Sequence, residues 1–376
     1  MMTLPLTSIK SFEKQEAWRY NRLSRLLQED WQPVAGNKKP AFALPQALVK
    51  FDGLNDEYEM LTIYNGALED QASCPDVKFT PSSDPKNVVT MLRDNFAKNG
   101  ANIVIDAKTS RNLALNFVHE GQGDSIAYAL PFKIHVKAGA RLNLIETWQN
   151  ANIAKPIWAM PDFNIMLEEG ARLDWMAFSH QPAHHYITTR HHVTMQAKAQ
   201  FNHLSYHDDV GFFRSDFDIH LCEAQAKVSV HGAYKAMQEA QITHAMNIHH
   251  HAKDCQSSQL FHGVVDDAAI ANFQGNIVVA KGADQTDAIQ KHQGLLLSNK
   301  AVINAKPALE IYADDVACAH GAGVRDLDPM QLFYMRSRGM DMHMARELLI
   351  AGFLTESLRQ SAIYEDHAAF IQARLN

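Results

Sequence analysis

A short corner followed by the pattern Ala-x-Φ-x-Φ, where Φ is usually apolar, recurs along the middle of the chain. Its members are Ala140-Arg-Leu-Asn-Leu, Ala171-Arg-Leu-Asp-Trp, Ala199-Gln-Phe-Asn-His, Ala226-Lys-Val-Ser-Val, Ala269-Ile-Ala-Asn-Phe and Ala301-Val-Ile-Asn-Ala. The steps between them are 31, 28, 27, 43 and 32 residues. A tight turn that returns about every 30 residues among short strands is what a solenoid demands, because each coil stacks on the last with its corner in the same place. Within a repeat, a strand's period of two sends Leu142 and Leu144, or Leu173 and Trp175, to one face and the polar residue between them to the other. A β-helix with those apolar residues inward is the simplest architecture. A sandwich or barrel also makes short alternating strands, and the 43-residue step marks an insertion or a missed repeat.

The flanks read differently. From about residue 101 the runs ANIVIDA, KIHV, RLNLIETW, HYITTRHHVTM, KVSVHG and GNIVVA are alternating and often β-branched, each closed by small or polar residues. Upstream, Ser11 and Glu13 open a helix pattern through Phe12, Trp18, Leu23, Leu26 and Leu27 that stops near Pro33. A second helix is expected from Asp84-Pro85 through Val88, Val89, Leu92 and Phe96 to Gly100, with loop and short extended pieces between the two. Past residue 327, Asp328-Pro329 starts a helix ended by Gly339, Asp341 caps a second ended by Gly352, and a third runs through Leu354, Leu358, Ile363 and Phe370. The expected division is an N-terminal helical domain with loops over 1–100, a β-helix core over 101–326 and a C-terminal helical domain over 327–376. The Met- and aromatic-rich C-terminal helices form either their own core or a face for a partner's groove.

Composition narrows the function classes. With 35 basic against 42 acidic residues and a net charge of −7, the chain has no electrostatic excess for neutralising phosphates, so nucleic acid is not an expected partner. No run of 18 apolar residues and no export signal is evident, which points to a cytoplasmic protein that does not span a membrane. Four cysteines, Cys74, Cys222, Cys255 and Cys318, never form a CxxC pair, which fits a reducing compartment. The sequence lacks GxxxxGKS/T, GxGxxG after a strand, GxSxG and HExxH, so nucleotide, ester or zinc-protease chemistry by those routes is not expected, and an ATP-driven role needs another subunit.

Two features could carry chemistry. Cys318 and His320 lie two residues apart in a strand-like run and therefore share a face, joining a thiol to an imidazole. That pair suits zinc, iron or an iron–sulfur cluster, but two ligands do not close a site, and another chain would have to complete it. The plainer reading is a buried cysteine beside an unrelated histidine. Histidine is also concentrated: of 20 in the chain, 15 fall between His180 and His292. In strands adjacent histidines face opposite sides, so in His184-His185, His191-His192 and His249-His250-His251 only alternate members could share a metal. Polar ladders or satisfied interior groups account for most of the block; a sulfur, metal or proton path through the solenoid, with His250 and Cys255 as its candidates, is the alternative.

Residues 286–353 resemble the C-terminal core of the SufB/SufD family of the Suf iron–sulfur cluster assembly system. The resemblance rests on Thr286-Asp287-Ala288, Leu295-Leu296-Leu297-Ser298, Pro307, Glu310, Ala313-Asp314-Asp315-Val316, Cys318-x-His320-Gly321-Ala322, Leu327-Asp328 and Leu332-Phe333-Tyr334 with Arg336-Ser337-Arg338-Gly339. It thins upstream but continues through GARLNLIETW, GARLDW and the N-terminal AWRYNRL, and the chain length and that N-terminal run favour the SufD branch. The resemblance implies a right-handed parallel β-helix flanked by N- and C-terminal helical domains. It further implies a non-catalytic scaffold that pairs with SufB near the ends of the two β-helices and two copies of the ATPase SufC docked on the C-terminal helices. Leu332, Phe333, Tyr334, Arg336 and Arg338 are the candidate docking residues. Cys318 and His320 match the family's interface motif, which implies a transient iron–sulfur cluster shared with SufB, with His320 the better candidate ligand. Flavin is associated with the family's assembled complex, although no flavin motif is present in this chain. Two departures stand out: Gly323 where the family usually has Thr and Arg325 where it has Gly, an altered loop conformation after His320 being the expectation. A SufB-like scaffold that forms homodimers, and a β-helix enzyme acting on polysaccharide, are the competing readings; the second would normally be exported and carry a carboxylate pair.

Overall fold

The computed structural model describes residues 26, 31–33, 49–50, 57–68, 77–80, 102–120, 125–151, 155–180, 185–208 and 211–375. The two expected N-terminal helices lie almost wholly outside these residues, as do Cys74 and His184. The described strands form two sheets. The first runs, in spatial order, Val302–Ile311, Ile270–Val279, Gln241–His250, Phe212–Leu221, His185–Met195, Ile157–Leu167, Ile126–Val136, Asn102–Ala107 and Val77–Thr80. The second runs Val316–Arg325, Thr286–Leu296, Gln256–Val265, Lys227–Ala236, Gln200–Asp208, Arg172–His180, Arg141–Ala151, Arg111–Glu120, Glu57–Tyr64 and Val49–Lys50. From Asn102–Ala107 onward neighbours in a sheet are two strands apart in sequence, so the chain alternates between sheets and each coil contributes one strand to each. From Asn102 onward every pairing between successive coils is parallel; antiparallel pairs involve Val49–Lys50, Ala67–Leu68 and Val77–Thr80 at the upstream end. The solenoid expected from the repeat is therefore present, and its strands begin upstream of residue 101.

The repeat itself divides into two. Ala140, Ala171, Ala199 and Ala226, all buried, each immediately precede a strand of the second sheet. Ala240, Ala269 and Ala301 instead precede strands of the first sheet. Lys227 N donates to Ala199 O, Gln256 N to Ala226 O and Asp287 N to Cys255 O, which puts Cys255 in the first alanine column. The 43-residue step is thus neither an insertion nor one missed repeat, but a change of corner that passes over two members, Ala240 and Cys255. The corners depend on a left-handed residue. At the first it is Gly139, Gly170, Lys198, Gln225, Asp254 and Gln285 in successive coils, with φ from 57° to 68°. Only the first two are glycine, the residue that adopts this conformation without cost.

Leu142, Leu144, Leu173 and Trp175 point inward and are fully buried, as alternation requires. One apolar core runs the length of the solenoid between the sheets. Because coils stack at strand spacing, rings in register stack as well. Phe132 and Phe163 are 4.6 Å apart, Phe163 and His191 5.1 Å, and His191 and Phe217 4.2 Å between centroids. Polar residues ladder on the outer face of the second sheet, where Asn143 donates to Asn112 (2.6 Å) and Asn202 to Asp174 (2.7 Å), while Arg172 Nε reaches the same carboxylate at 2.8 Å.

Three helices follow the last coil: α1 (Pro329–Ser337), α2 (Met342–Arg359) and α3 (Tyr364–Leu375). Asp328 caps α1 by accepting from Met330 N, Asp341 caps α2 by accepting from Met344 N, and Gly339 ends the first turn of chain between them at φ 92°. The expected stop at Gly352 does not occur. The glycine costs about 1 kcal/mol in a helix interior, but Ile350, Phe353, Leu354 and Leu358 around it are buried against Leu204, Ala233, Val264 and Leu295 of the second sheet's outer face. Burial of that stripe outweighs the glycine, so Leu354 and Leu358 belong to α2 and the third helix begins only at Tyr364. His262 Nδ1–H donates to Phe353 O at 2.7 Å and Ser357 Oγ–H to Gly232 O at 3.0 Å, tying α2 to the solenoid.

Candidate functional site

The solenoid stops without a cap among the described residues. Val302–Ile311 and Val316–Arg325 each pair on one side only, with Ile270–Val279 and Thr286–Leu296. Two adjacent ten-residue strands thus present unpaired backbone donors and acceptors, the arrangement that invites another chain to add strands. The register places Cys318 beside Ala288 and His320 beside Gln290. Both therefore share one face, as their spacing predicts, and it is the inward one, which in the terminal coil opens to solvent. Cys318 is half-buried against the cluster of Ile277, Val279, Ala283 and Ala288, whereas His320 is exposed. Burial pushes the Cys318 thiol up, and the Asp287 carboxylate adds to the effect. A thiol so placed stays protonated until a cation draws it into ligation. Soft sulfur and imidazole two residues apart suit a soft or borderline metal ion, and two donors alone do not close its coordination.

No altered loop follows His320. Gly321 to Arg325 continue the strand opposite Lys291 to Leu295, and each departure from the family pattern meets a side-chain neighbour. A Cβ at position 323 would come within 2.8 Å of Gln293 Oε1, and the guanidinium of Arg325 lies 5.8 Å from the centre of the Phe353 ring, linking the edge strand to α2.

The same end carries an apolar surface. α1 buries none of its residues: Met330 is 71%, Phe333 68% and Tyr334 59% exposed. Met342, Met344 and Leu348 extend the exposed apolar surface into α2. Leu332 is half-buried, while Arg336 and Arg338 are exposed. Arg338 stacks over Tyr334 with its guanidinium 5.3 Å from the ring centre, setting a cation at the rim of the patch.

The remaining candidates separate. His250 is buried at the inner end of its strand, where its Nε2 is 2.9 Å from Ser257 Oγ. Cys255 Sγ–H donates to Glu223 O, in the corner of the preceding coil, at 3.3 Å. The histidine block splits by parity as expected: His191, His203, His207, His244 and His292 are interior, whereas His192, His220 and His249 face outward. Burial holds His203, His244 and His292 down at about 3. Tyr234 crosses the interior to reach His292 Nε2 at 2.8 Å, over Gly263, where a Cβ would lie 2.0 Å from the tyrosine ring. Sequence reasoning did not identify the exposed outward histidines as a group; the signal was the alternation of His249 and His251 around His250.

The model of the SufBD core domain of the SUF system for iron–sulfur cluster assembly matches residues 118–353. The chain is 26% identical over 377 aligned positions to the iron–sulfur cluster assembly protein SufD of Escherichia coli, covering 96% of this chain and 88% of that protein. An iron–sulfur cluster assembly SufBD family protein of Synechocystis is 40% identical over 143 residues, 38% of this chain and 30% of its own length. SufD of Bacillus subtilis is 39% identical over 114 residues, 30% of this chain and 26% of its own length. The chain belongs to the SufBD family of SUF-system iron–sulfur cluster assembly proteins, and its near full-length likeness is to a SufD.

Proposed function

We propose that this chain is a non-catalytic scaffold subunit of cytosolic iron–sulfur cluster assembly, with a nascent cluster built across its uncapped terminal coil. The observation that carries the reading is the coincidence at one end of the fold of two open strand edges, an inward-facing Cys318 and His320, and an unburied apolar helix. The open edges suit a SufB-type partner with a similar coil, which would supply the ligands that Cys318 and His320 lack. The exposed face of α1, with Leu332, Phe333 and Tyr334 flanked by Arg336 and Arg338, suits a SufC-type ATPase, since the chain has no phosphate-binding loop of its own. Incomplete ligation keeps the cluster exchangeable, as a donor to other proteins requires.

Co-expression with the SufB- and SufC-type proteins of the same organism, followed by anaerobic reconstitution, tests this. The expected outcome is one co-purifying complex with iron–sulfur absorption. His320→Ala should leave the complex intact and lower iron uptake; unchanged cluster yield would remove His320 from the site. The open edges also fit a second copy of the same chain. A tight homodimer that holds a reconstituted cluster without any partner would favour the self-sufficient scaffold instead.

A further inference from the structure

Away from the terminal coil, metal-ligating side chains gather on the outer face of the first sheet. His192 lies on His185–Met195, Asp218 and His220 on Phe212–Leu221, His249 on Gln241–His250, and His251 in the corner that follows. Strand register sets His192 beside Asp218 and His220 beside His249, so three successive coils deliver their side chains to one patch. The carboxylate of Asp218 is met by three imidazoles: His192 Nδ1 at 3.2 Å, His220 Nε2 at 3.3 Å and His249 Nε2 at 3.4 Å. His220 Nδ1 lies 3.0 Å from His251 Nε2. The rings of His220, His249 and His251 stack nearly parallel, within 10°.

These separations have a chemical meaning. Ligands bound at about 2.0–2.1 Å around a tetrahedral ion lie about 3.3 Å from one another, so the donors are already at ligation spacing before an ion arrives. Two triads, His192–Asp218–His220 and His220–His249–His251, bring their ligand atoms within 4.8 Å of one another, and His220 turns Nε2 to Asp218 and Nδ1 to His251, so one ion takes one triad and not both. Protonating several of these rings would place like charges about 5 Å apart, whereas one divalent cation can take one lone pair from each ring of a triad. Partial exposure, 26% for His220 and 44% for Asp218, leaves a path for entry and exit. The donors are imidazole and carboxylate without thiolate, which selects a borderline first-row ion over a sulfide cluster.

We propose that His220, His249 and His251 bind one exchangeable divalent first-row ion of the Zn(II) or Fe(II) class on the outer face of the solenoid, with the Asp218 carboxylate against His220 Nε2 orienting the ring so that Nδ1 faces the ion. The site is separate from Cys318 and His320, which sit in the second sheet's terminal strand, and it does not depend on the scaffold reading. The test uses the full chain without a polyhistidine tag, stripped with chelator and titrated anaerobically with Zn(II) alone, then with Co(II) as a spectroscopic probe. The expected result is one equivalent bound, with Co(II) ligand-field bands of a nitrogen–oxygen site and no thiolate charge-transfer band. His220→Ala should weaken binding by at least about tenfold, as should His249→Gln, which spares the packing, while the Cys318→Ala/His320→Ala double variant should retain the equivalent. Equal affinity in wild type, His220→Ala and His249→Gln, or loss of the equivalent in the Cys318→Ala/His320→Ala variant alone, would overturn the proposal.

Discussion

Interior histidines give the molecule a defined response to acid. His203, His244 and His292 have folded-state values near 3, and His231 and His250 near 4, against an ordinary value of 6.5. Below pH 6.5 the unfolded chain binds protons that the fold refuses, so stability is complete above that pH and is lost as pH falls toward 3. Glu146, pushed up to about 7 by burial, acts with the opposite sign: its folded state keeps a proton that the unfolded chain releases above 4.5, which lowers stability as pH rises from 4.5 to 7. His244 has no hydrogen-bond partner at either nitrogen, so His244→Leu, of similar volume, removes a titrating group and no bond. Its expected effect is an acid-unfolding midpoint lower by roughly a few tenths of a pH unit, read by circular dichroism; an unchanged or higher midpoint would count against the interior assignment. The corners offer a second residue-scale test. Gly170 is left-handed with no atom within 4 Å of a Cβ, so Gly170→Ala should cost about 1–2 kcal/mol from backbone conformation alone, measured by urea denaturation. Lys198→Gly, at the equivalent place in the next coil, should be neutral or stabilising. That contrast also explains what was legible: the Gly-Ala-Arg-Leu corners stand out in the sequence, whereas Asp254-Cys255 makes the same corner with neither of its marking residues.

At the scale of elements, strand periodicity was readable because one face of every strand is sealed in the core, and alternation survives even where the inward residue is histidine. Helix ends were less legible. Gly352 has the sequence marks of a stop, but the stripe that α2 lays on the second sheet depends on Leu204, Ala233, Val264 and Leu295, scattered over four strands distant in sequence. Two of the C-terminal phenylalanines should therefore respond in opposite ways. Phe353 is buried against the sheet, stacked on His262 at 4.5 Å, and Phe353→Ala should destabilise by about 3–5 kcal/mol, seen as early proteolysis of α2 and a lower melting temperature. Phe333 is 68% exposed, and Phe333→Ser should change stability by less than about 0.5 kcal/mol while abolishing co-purification of the ATPase. Retained ATPase binding in Phe333→Ser would place the docking surface elsewhere.

For the whole molecule, the proposed functional end lies where the coils stop. The sequence marked Cys318 and His320 by spacing and resemblance, and it placed them on one face. That this face opens outward, in a last coil with both edges unpaired among the described residues, follows only from stacking the coils, because from Arg141–Ala151 to Thr286–Leu296 the same columns hold buried residues such as Leu142 and Leu144. No helix among the described residues is long and apolar enough to cross a membrane, and the exposed apolar surface is concentrated on the C-terminal helices and the last strands. A scaffold that shares its cargo should be incomplete alone and complete in complex. Native mass spectrometry of the chain co-expressed with its SufB- and SufC-type partners tests this most directly. The account predicts a single assembly containing this chain, one SufB-type subunit and bound ATPase, carrying iron and sulfide that the isolated chain does not hold; a chain that purifies alone and carries the same cluster without partners would contradict it.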